Sequence, residues 1–352
     1  MRMFQLCTCG KPLELRETAT PEPKGSEVLL RTLAAGVCHS DIHLSDGYFD
    51  LGGGKKLSVV ERGMPLPLTL GHEIVGEVVA FGPDAKGVKI GDKRLVDPWL
   101  GCGQCKVCLR GDEQLCLKPA SVGIFRNGGY ADHVLVPHPR CLFDIGDLPP
   151  EKVAPLACSG VTTFSALKKV GATLTTDPVV IVGAGGLGLM CLALHKAMGG
   201  HSAIVVDIDP AKRDAAKKAG AVATIDGAAN DVTQQIIAAT GGGSWATIDL
   251  VGSVQTVRFG IDSLIKGGKL ILVGLYGGEI VQSLPPFPMR AISIQGSYTG
   301  SLTDTKELMD LVRRTGLPPV PVATRPLTDV NAALADLRAG KVIGRVVLTP
   351  SG

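Results

Sequence analysis

Apolar residues along the chain follow two rhythms. Up to about residue 150 they come in short runs, at 28–30, 74–79 and 130–136, each bounded by Gly, Pro or Asp. Runs of that length with such boundaries predict β-strands, and the punctuation is too frequent for long helices. From about residue 178 the rhythm changes. An unbroken apolar strand at 179–182 leads straight into the glycine-rich stretch 183–188. A helical pattern over 189–198 follows, then a strand at 203–206 that ends at Asp207. Further strands are expected at 246–251 and 269–274. Strands alternating with helices of this length predict a parallel sheet with crossover helices. The tail, from about residue 300, reads as short mixed elements ending in a strand at 342–348. That strand is expected to complete the first sheet, because a lone strand is not stable by itself. The fold class is therefore α/β, a doubly wound parallel sheet at 156–296 joined to a β-rich unit at 1–155 that 297–352 completes.

Composition narrows the function classes. A chain of 352 residues with 45% hydrophobic content is long enough for two domains with sizeable cores. No uncharged apolar run reaches the roughly 18 residues that a membrane span needs, so no membrane partner is expected. A net charge of only +3 argues against nucleic acid as a partner. The first residues lack the apolar core of a secretory signal, and a cytoplasmic protein is expected. Ten cysteines in such a protein point to metal binding more than to disulfides. Cys7, Cys9, Cys141 and Cys191 lie outside any cluster and are expected to be reduced, buried thiols.

Four of the remaining cysteines, Cys102, Cys105, Cys108 and Cys116, form a C-x2-C-x2-C-x7-C loop. Four thiolates on one short loop can converge on a tetrahedron, the geometry of a closed structural zinc site. Such a site does no chemistry, so catalysis must come from elsewhere. Lys106, Arg110 and Lys118 around the loop are balanced by Asp112 and Glu113, which disfavours a nucleic-acid module there.

Gly183, Gly185 and Gly188 satisfy G-x-G-x-x-G between a strand and a helix. The first allows a tight turn, the second close approach of a pyrophosphate, and the third tight helix–strand packing. Gly186 and Leu187 complete the turn, and Asp207 ends the next strand 19 residues after Gly188. A carboxylate there accepts hydrogen bonds from ribose hydroxyls and repels a 2′-phosphate, favouring NAD over NADP. Cys38 and His72 offer a soft thiolate and an imidazole, both good zinc ligands; either alone reads more readily as a core side chain, and their place beside the cysteine loop and a dinucleotide fold lifts the pair. Asp41 could orient His72 from behind. Cys158, just before the dinucleotide unit, is the leading candidate for a third ligand. Ser40 and His43, a hydroxyl and an imidazole within one turn, could relay a proton to solvent.

Taken in order, Gly36-Val-Cys-His-Ser-Asp41, Leu70-Gly-His-Glu73, the four-cysteine loop and Val182-Gly-Ala-Gly-Gly-Leu-Gly188 resemble the medium-chain zinc-dependent alcohol dehydrogenases. The nearest likeness is to their tetrameric bacterial and archaeal branch, so a homotetramer is expected. The resemblance covers essentially the whole chain. It implies a GroES-like catalytic domain, a Rossmann domain, NAD and two zinc ions per subunit. Cys38, His72 and Cys158 would hold the catalytic zinc, with Glu73 able to approach it. Ser40 would take the alcohol proton and pass it, through a ribose hydroxyl, to His43. His39 and Arg345 would reach the pyrophosphate and Lys212 the adenosine ribose, and Val273 is counted with the cofactor residues. Phe49, Trp99, Ile124, Leu275 and Tyr298 match substrate-channel positions, each also readable as ordinary core. They favour apolar or aromatic primary and secondary alcohols, oxidised reversibly to aldehydes or ketones. Polyol enzymes of the superfamily carry Glu in place of the third Cys, so Cys158 argues against that branch.

Two departures stand out. The 50–67 segment is longer than in many relatives, as a flap, an interface element or a surface excursion. His39 replaces the Arg of many relatives, so pyrophosphate binding is expected to be weaker and pH-dependent. An NADP-preferring aldehyde reductase and a non-catalytic, zinc-bearing NADH sensor remain the alternatives.

Overall fold

Two sheets organise the chain in the computed structural model, which describes residues 1–350. The first is built around Val28–Val37, whose leucines and valines are largely buried. This strand pairs antiparallel with Glu73–Phe81 along most of its length and with His133–Val136 at its start. Lys93–Val96 and Leu142–Asp144 extend the sheet on one side. On the other, Arg345–Thr349 and Val322–Pro326 complete it, so the tail returns to the N-terminal unit.

The register here matters for the site. Gly36 lies opposite Glu73, and Val37 lies opposite Val346. Three neighbouring strands therefore end in one row, with Cys38, the His72–Glu73 pair and Arg345 side by side.

The second sheet has six strands, all parallel, in the spatial order Ala223–Asp226, Ser202–Asp207, Pro178–Val182, Ser244–Asp249, Leu264–Leu272 and Ser293–Gly296. Numbered by sequence this is 3-2-1-4-5-6, the Rossmann arrangement, whose order reverses beside the first strand. Ligands of such sheets bind beyond the carboxyl ends at that reversal, which is where 183–188 lies. Apolar β-branched residues fill these strands because both faces are covered by helices.

One core runs through both units. It includes Ala34, Val75 and Val347 of the first sheet, Ile181, Ile248 and Ile271 of the second, and Leu167 and Leu308 between them. Leu308 belongs to Leu302–Thr315, a 14-residue helix where only short mixed elements were expected. Ser301 caps it, taking the Asp304 N–H while Asp304 takes that of Ser301. The Ser-x-x-Asp signal for this cap stands in the sequence. Among the described residues no helix is long and apolar enough to cross a membrane. All ten cysteines are free. Cys141 and Cys191 are buried, but Cys7 and Cys9 are only half-buried, because they lie in the turn that follows Arg2–Leu6.

Candidate active site

Cys38 sits where Val28–Val37 ends and the helix His39–Asp46 begins. Asp41, in the first turn, takes the Cys38 N–H at 3.0 Å and so closes the junction. The same carboxylate meets His72 Nδ1 at 3.2 Å and accepts the Tyr130 hydroxyl at 2.8 Å. Gly71 has φ +89°, a left-handed backbone that turns His72 inward, and an added Cβ there would meet the Tyr130 ring. Tyr130 was missed in the sequence, since a lone Tyr in a strand carries no signal of its partner.

Cys158 comes from 120 residues away, at a break between Ala154–Ala157 and the helix Ser159–Val170. Its sulfur lies 3.9 Å from that of Cys38. The donor atoms of Cys38, His72 and Cys158 all lie within 4.8 Å of one another. His72 Nε2 is buried and has no hydrogen-bond partner. A buried nitrogen left unpaired beside two sulfurs fits a zinc ligand set with one open position. The Cys158 thiol donates to Cys38, which holds Cys38 well below its ordinary range and pushes Cys158 up. Burial lowers His72, but the Asp41 carboxylate outweighs it and the imidazole ends well above its usual value. A metal bound by these three must therefore displace protons, which makes binding pH-dependent.

Glu73 is fully buried, and Arg345, also buried, donates to one of its oxygens at 2.5 Å and to the Val37 carbonyl at 3.1 Å. The other Glu73 oxygen has no partner. The Arg345 head group is thus turned toward Glu73, while its stem packs beside Gly186 of the glycine turn. Ser40 is half-buried on the His39–Asp46 helix. His43, one turn on, stacks on Phe49 with centroids 5.1 Å apart. Burial pulls His43 below its ordinary pKa. His39 shows one side to solvent, yet the packed protein depresses its pKa too.

The four-cysteine loop gathers as its spacing predicts. All four sulfurs lie within 4.8 Å of one another. Backbone N–H groups of Cys102 and Lys118 point at the Cys116 sulfur, at 3.2 and 3.3 Å. Hydrogen bonds from Leu117 and Cys108 hold the Cys105 thiol down to about 6. Donors aimed at sulfur favour the thiolate form that binds metal.

At the glycine turn, a Cβ on Gly188 would run into the Gly183 carbonyl, so only glycine allows this crossing. A Cβ on Gly185 meets nothing within 4 Å. That open space lies at the start of the helix Gly186–Ala197, where free N–H groups and the helix dipole suit a phosphate. Asp207 takes the Ala184 N–H at 2.6 Å and the Asp209 N–H at 2.8 Å, so it braces the turn itself. Leu187 packs into the core. Lys212 lies 3.8 Å from Asp209. Val273 donates its N–H to the Asp249 carbonyl at 2.9 Å.

Val273, Leu275 and Tyr298 line a cavity of about 530 Å³ beside the carboxyl ends of the last two strands. Tyr298 meets Trp99 edge-on at 6.0 Å, and Trp99 lies 5.5 Å from His72. Ile124 is packed between two core clusters. The long 50–67 segment contains a hairpin, Tyr48–Gly52 with Lys55–Ser58. It reaches across to the other unit, where the Gly278 N–H points to the Asp50 carbonyl at 3.4 Å and Glu279 packs on Gly52 and Gly53.

Comparison with known proteins agrees with this geometry. Residues 24–147 match the model of the alcohol dehydrogenase GroES-like domain, and residues 186–314 match that of the zinc-binding dehydrogenases. An NAD-dependent alcohol dehydrogenase of Sulfurisphaera tokodaii is 39% identical, over 99% of this chain and 100% of that one. The corresponding enzyme of Saccharolobus solfataricus is 38% identical, again over 99% and 100%. The crystal structure of the Aeropyrum pernix alcohol dehydrogenase superimposes with a TM-score of 0.89 at 32% identity, covering 99% of this chain and 100% of that one. With a Rossmann sheet, a GroES-like unit and a gathered Cys–His–Cys set, the chain belongs to the zinc-dependent alcohol dehydrogenase family.

Proposed function

We propose that this chain is an NAD-dependent zinc alcohol dehydrogenase that oxidises apolar or aromatic primary and secondary alcohols reversibly to aldehydes or ketones. One observation carries the reading. The unpaired, buried His72 Nε2 converges with the Cys38 and Cys158 sulfurs, all three donor atoms lying within 4.8 Å of one another. When bound, zinc supplies a Lewis acid for the alcohol oxygen and NAD⁺ the hydride acceptor.

The rest falls to the chain. Cys38, His72 and Cys158 hold the metal, and Asp41 fixes the His72 ring. Ser40 would take the hydroxyl proton, and His43, kept neutral near pH 7 by burial, would accept a proton and release it to solvent. Gly183, Gly185, Gly186 and Gly188 would admit the pyrophosphate, with His39 near it; Arg345, whose head group is held by Glu73, would have to turn from that carboxylate to reach it, and Asp207 and Lys212 would receive the adenosine ribose. Phe49, Trp99, Ile124, Leu275 and Tyr298 form the apolar wall, which favours alcohols without further hydroxyls. Cys102, Cys105, Cys108 and Cys116 hold the structural zinc. The catalytic domain spans 1–155 with 297–352, and the coenzyme domain spans 156–296.

A cytoplasmic homotetramer is part of the proposal. The edge strand Ser293–Gly296 is exposed along its length, and Val281, Leu284, Met289 and Ile294 around it are exposed apolar residues. Unpaired edges with apolar flanks favour pairing with a second copy. Sedimentation velocity tests this, and a monomer at micromolar concentration would contradict it.

The activity test follows NADH formation at near-ultraviolet wavelengths, with a panel of apolar, aromatic and polyol alcohols, with and without a chelator. Chelator-sensitive turnover of apolar alcohols with NAD⁺ is expected. Turnover with NADP⁺ alone would move the reading to the reductase, and none with either cofactor in either direction would remove the enzyme reading.

A further inference from the structure

We propose that Trp99 is a positioning residue for Cys158, and that Asp97 and Thr305 hold Trp99 in place. This rests on the reading of Cys38, His72 and Cys158 as a zinc site. Trp99 is only 4% exposed, so at most an edge of its ring can line the substrate wall and the rest is held by protein. Its indole Nε1–H donates to the Ala157 carbonyl at 2.9 Å, on the residue just before Cys158. The backbone is irregular at that junction. Cys158 has φ −126° and ψ −71°, between Ala154–Ala157 and Ser159–Val170. Carbonyls at a helix break lack the continuing helix that would otherwise satisfy them, so a donor from outside sets how the chain crosses the break. The direction of the Cys158 side chain follows from that crossing.

The same ring packs against His72, tilted 57°. One side chain thus touches the segments that carry two of the three donor atoms.

Trp99 is fixed in turn. Asp97 Oδ1 accepts the Trp99 backbone N–H at 3.0 Å, and Oδ2 accepts the Thr305 hydroxyl at 2.5 Å. Asp97 is 1% exposed and Thr305 fully buried. Thr305 stands on the Leu302–Thr315 helix, 208 residues along the chain. A buried carboxylate is costly to keep, and a tryptophan that served as packing alone would not need one under its backbone. The chain Thr305–Asp97–Trp99–Ala157 runs from the tail helix to the third ligand. Groups that orient metal ligands in this way typically change metal affinity by about 10–100-fold when removed.

Zinc release from the full-length, zinc-loaded protein to a chromophoric chelator tests this. Wild type should release two zinc ions per chain in separate phases. A Cys116→Ser variant identifies the phase of the four-cysteine loop. Trp99→Phe keeps an aromatic ring but loses the N–H with the pyrrole part of the indole, and should speed release from the Cys38–His72–Cys158 site by about tenfold or more. Thr305→Val touches neither metal nor substrate and should move the same phase in the same direction, with Thr305→Ser restoring the wild-type rate. The visible bands of the cobalt-substituted protein should shift in Trp99→Phe. Wild-type release and unchanged cobalt bands in both Trp99→Phe and Thr305→Val would overturn the proposal, even if both variants melted earlier, because the contacts would then serve packing alone. A wild type that holds one zinc, assigned to the four-cysteine loop, would instead remove the zinc-site reading and this inference with it.

Discussion

Gly185 and Gly188 belong to one motif but answer to different constraints, and alanine at each separates them. At Gly185 the backbone has φ −69° and ψ −166°, open to any residue, and an added Cβ meets nothing within 4 Å. Gly185→Ala should leave the cofactor-free protein at least as stable as wild type. A gain of about 0.4–1 kcal/mol is expected, since alanine has fewer unfolded conformations to lose. The methyl enters the space in front of the first turn of Gly186–Ala197, where a phosphate would meet free N–H groups. Hydrogen bonds to a charged group contribute about 1.5–3 kcal/mol each. Holding the pyrophosphate off even one of them should weaken NADH binding by about tenfold to a hundredfold. At Gly188 the Cβ would instead overlap the Gly183 carbonyl oxygen inside the turn. Overpacking of that kind costs about 1–3 kcal/mol, so Gly188→Ala should lose stability and NADH binding together. Urea unfolding without cofactor and fluorescence titration with NADH give the two quantities. Wild-type NADH affinity in Gly185→Ala, or a stability loss as large as that of Gly188→Ala, would refute the assignment of that space to the pyrophosphate.

Three further outcomes are expected. Arg345→Met strands the buried Glu73 and should destabilise by about 3–5 kcal/mol, with Glu73→Gln added to it recovering part of the loss. Denaturant unfolding checks this, and a cost below about 1 kcal/mol would show that the pair is not coupled. Cys116→Ser removes one sulfur of the four-cysteine loop and the acceptor for the Cys102 and Lys118 N–H groups. Metal analysis should find one zinc per chain instead of two, with a lower melting temperature and NADH binding kept. Burial pushes the Asp97 carboxyl up to about 6, against the Thr305 and Trp99 hydrogen bonds that lower it. Its native pKa lies above the unfolded one, so the stability tied to its protonated form is present below about pH 4 and is lost as pH rises through about 6. Asp97→Asn lacks that loss, and its stability relative to wild type should rise by about 2–3 kcal/mol between pH 4 and pH 7, while parallel curves would contradict the shift.

The elements that carry chemistry were legible where the signal is local. The strand, glycine turn and helix over 178–197 need only neighbouring residues to declare themselves. The tail helix Leu302–Thr315 is less legible: Ser301 and Asp304 mark its start, but the apolar positions that follow group into short pieces. Asp41 was legible as a partner for His72, but Tyr130 on its other oxygen was not. Gly36 shows why. An added Cβ there would strike the Glu73 carboxylate, a reason that exists only once the two strands are paired.

Donor chemistry and tight turns are short-range properties, so the sequence by itself determined the four-cysteine loop, the dinucleotide turn and the identity of the three candidate ligands. Tertiary structure alone decided how they meet. Strand register sets Cys38, His72 and Arg345 in one row, and Cys158 arrives from 120 residues away. It also turned Arg345 toward Glu73, set Asp207 to brace the turn, and placed the Trp99 indole on the Ala157 carbonyl. A sequence records which groups can donate, accept or ligate. Which of them become neighbours depends on strand register and on packing between distant segments, and no local pattern encodes those distances.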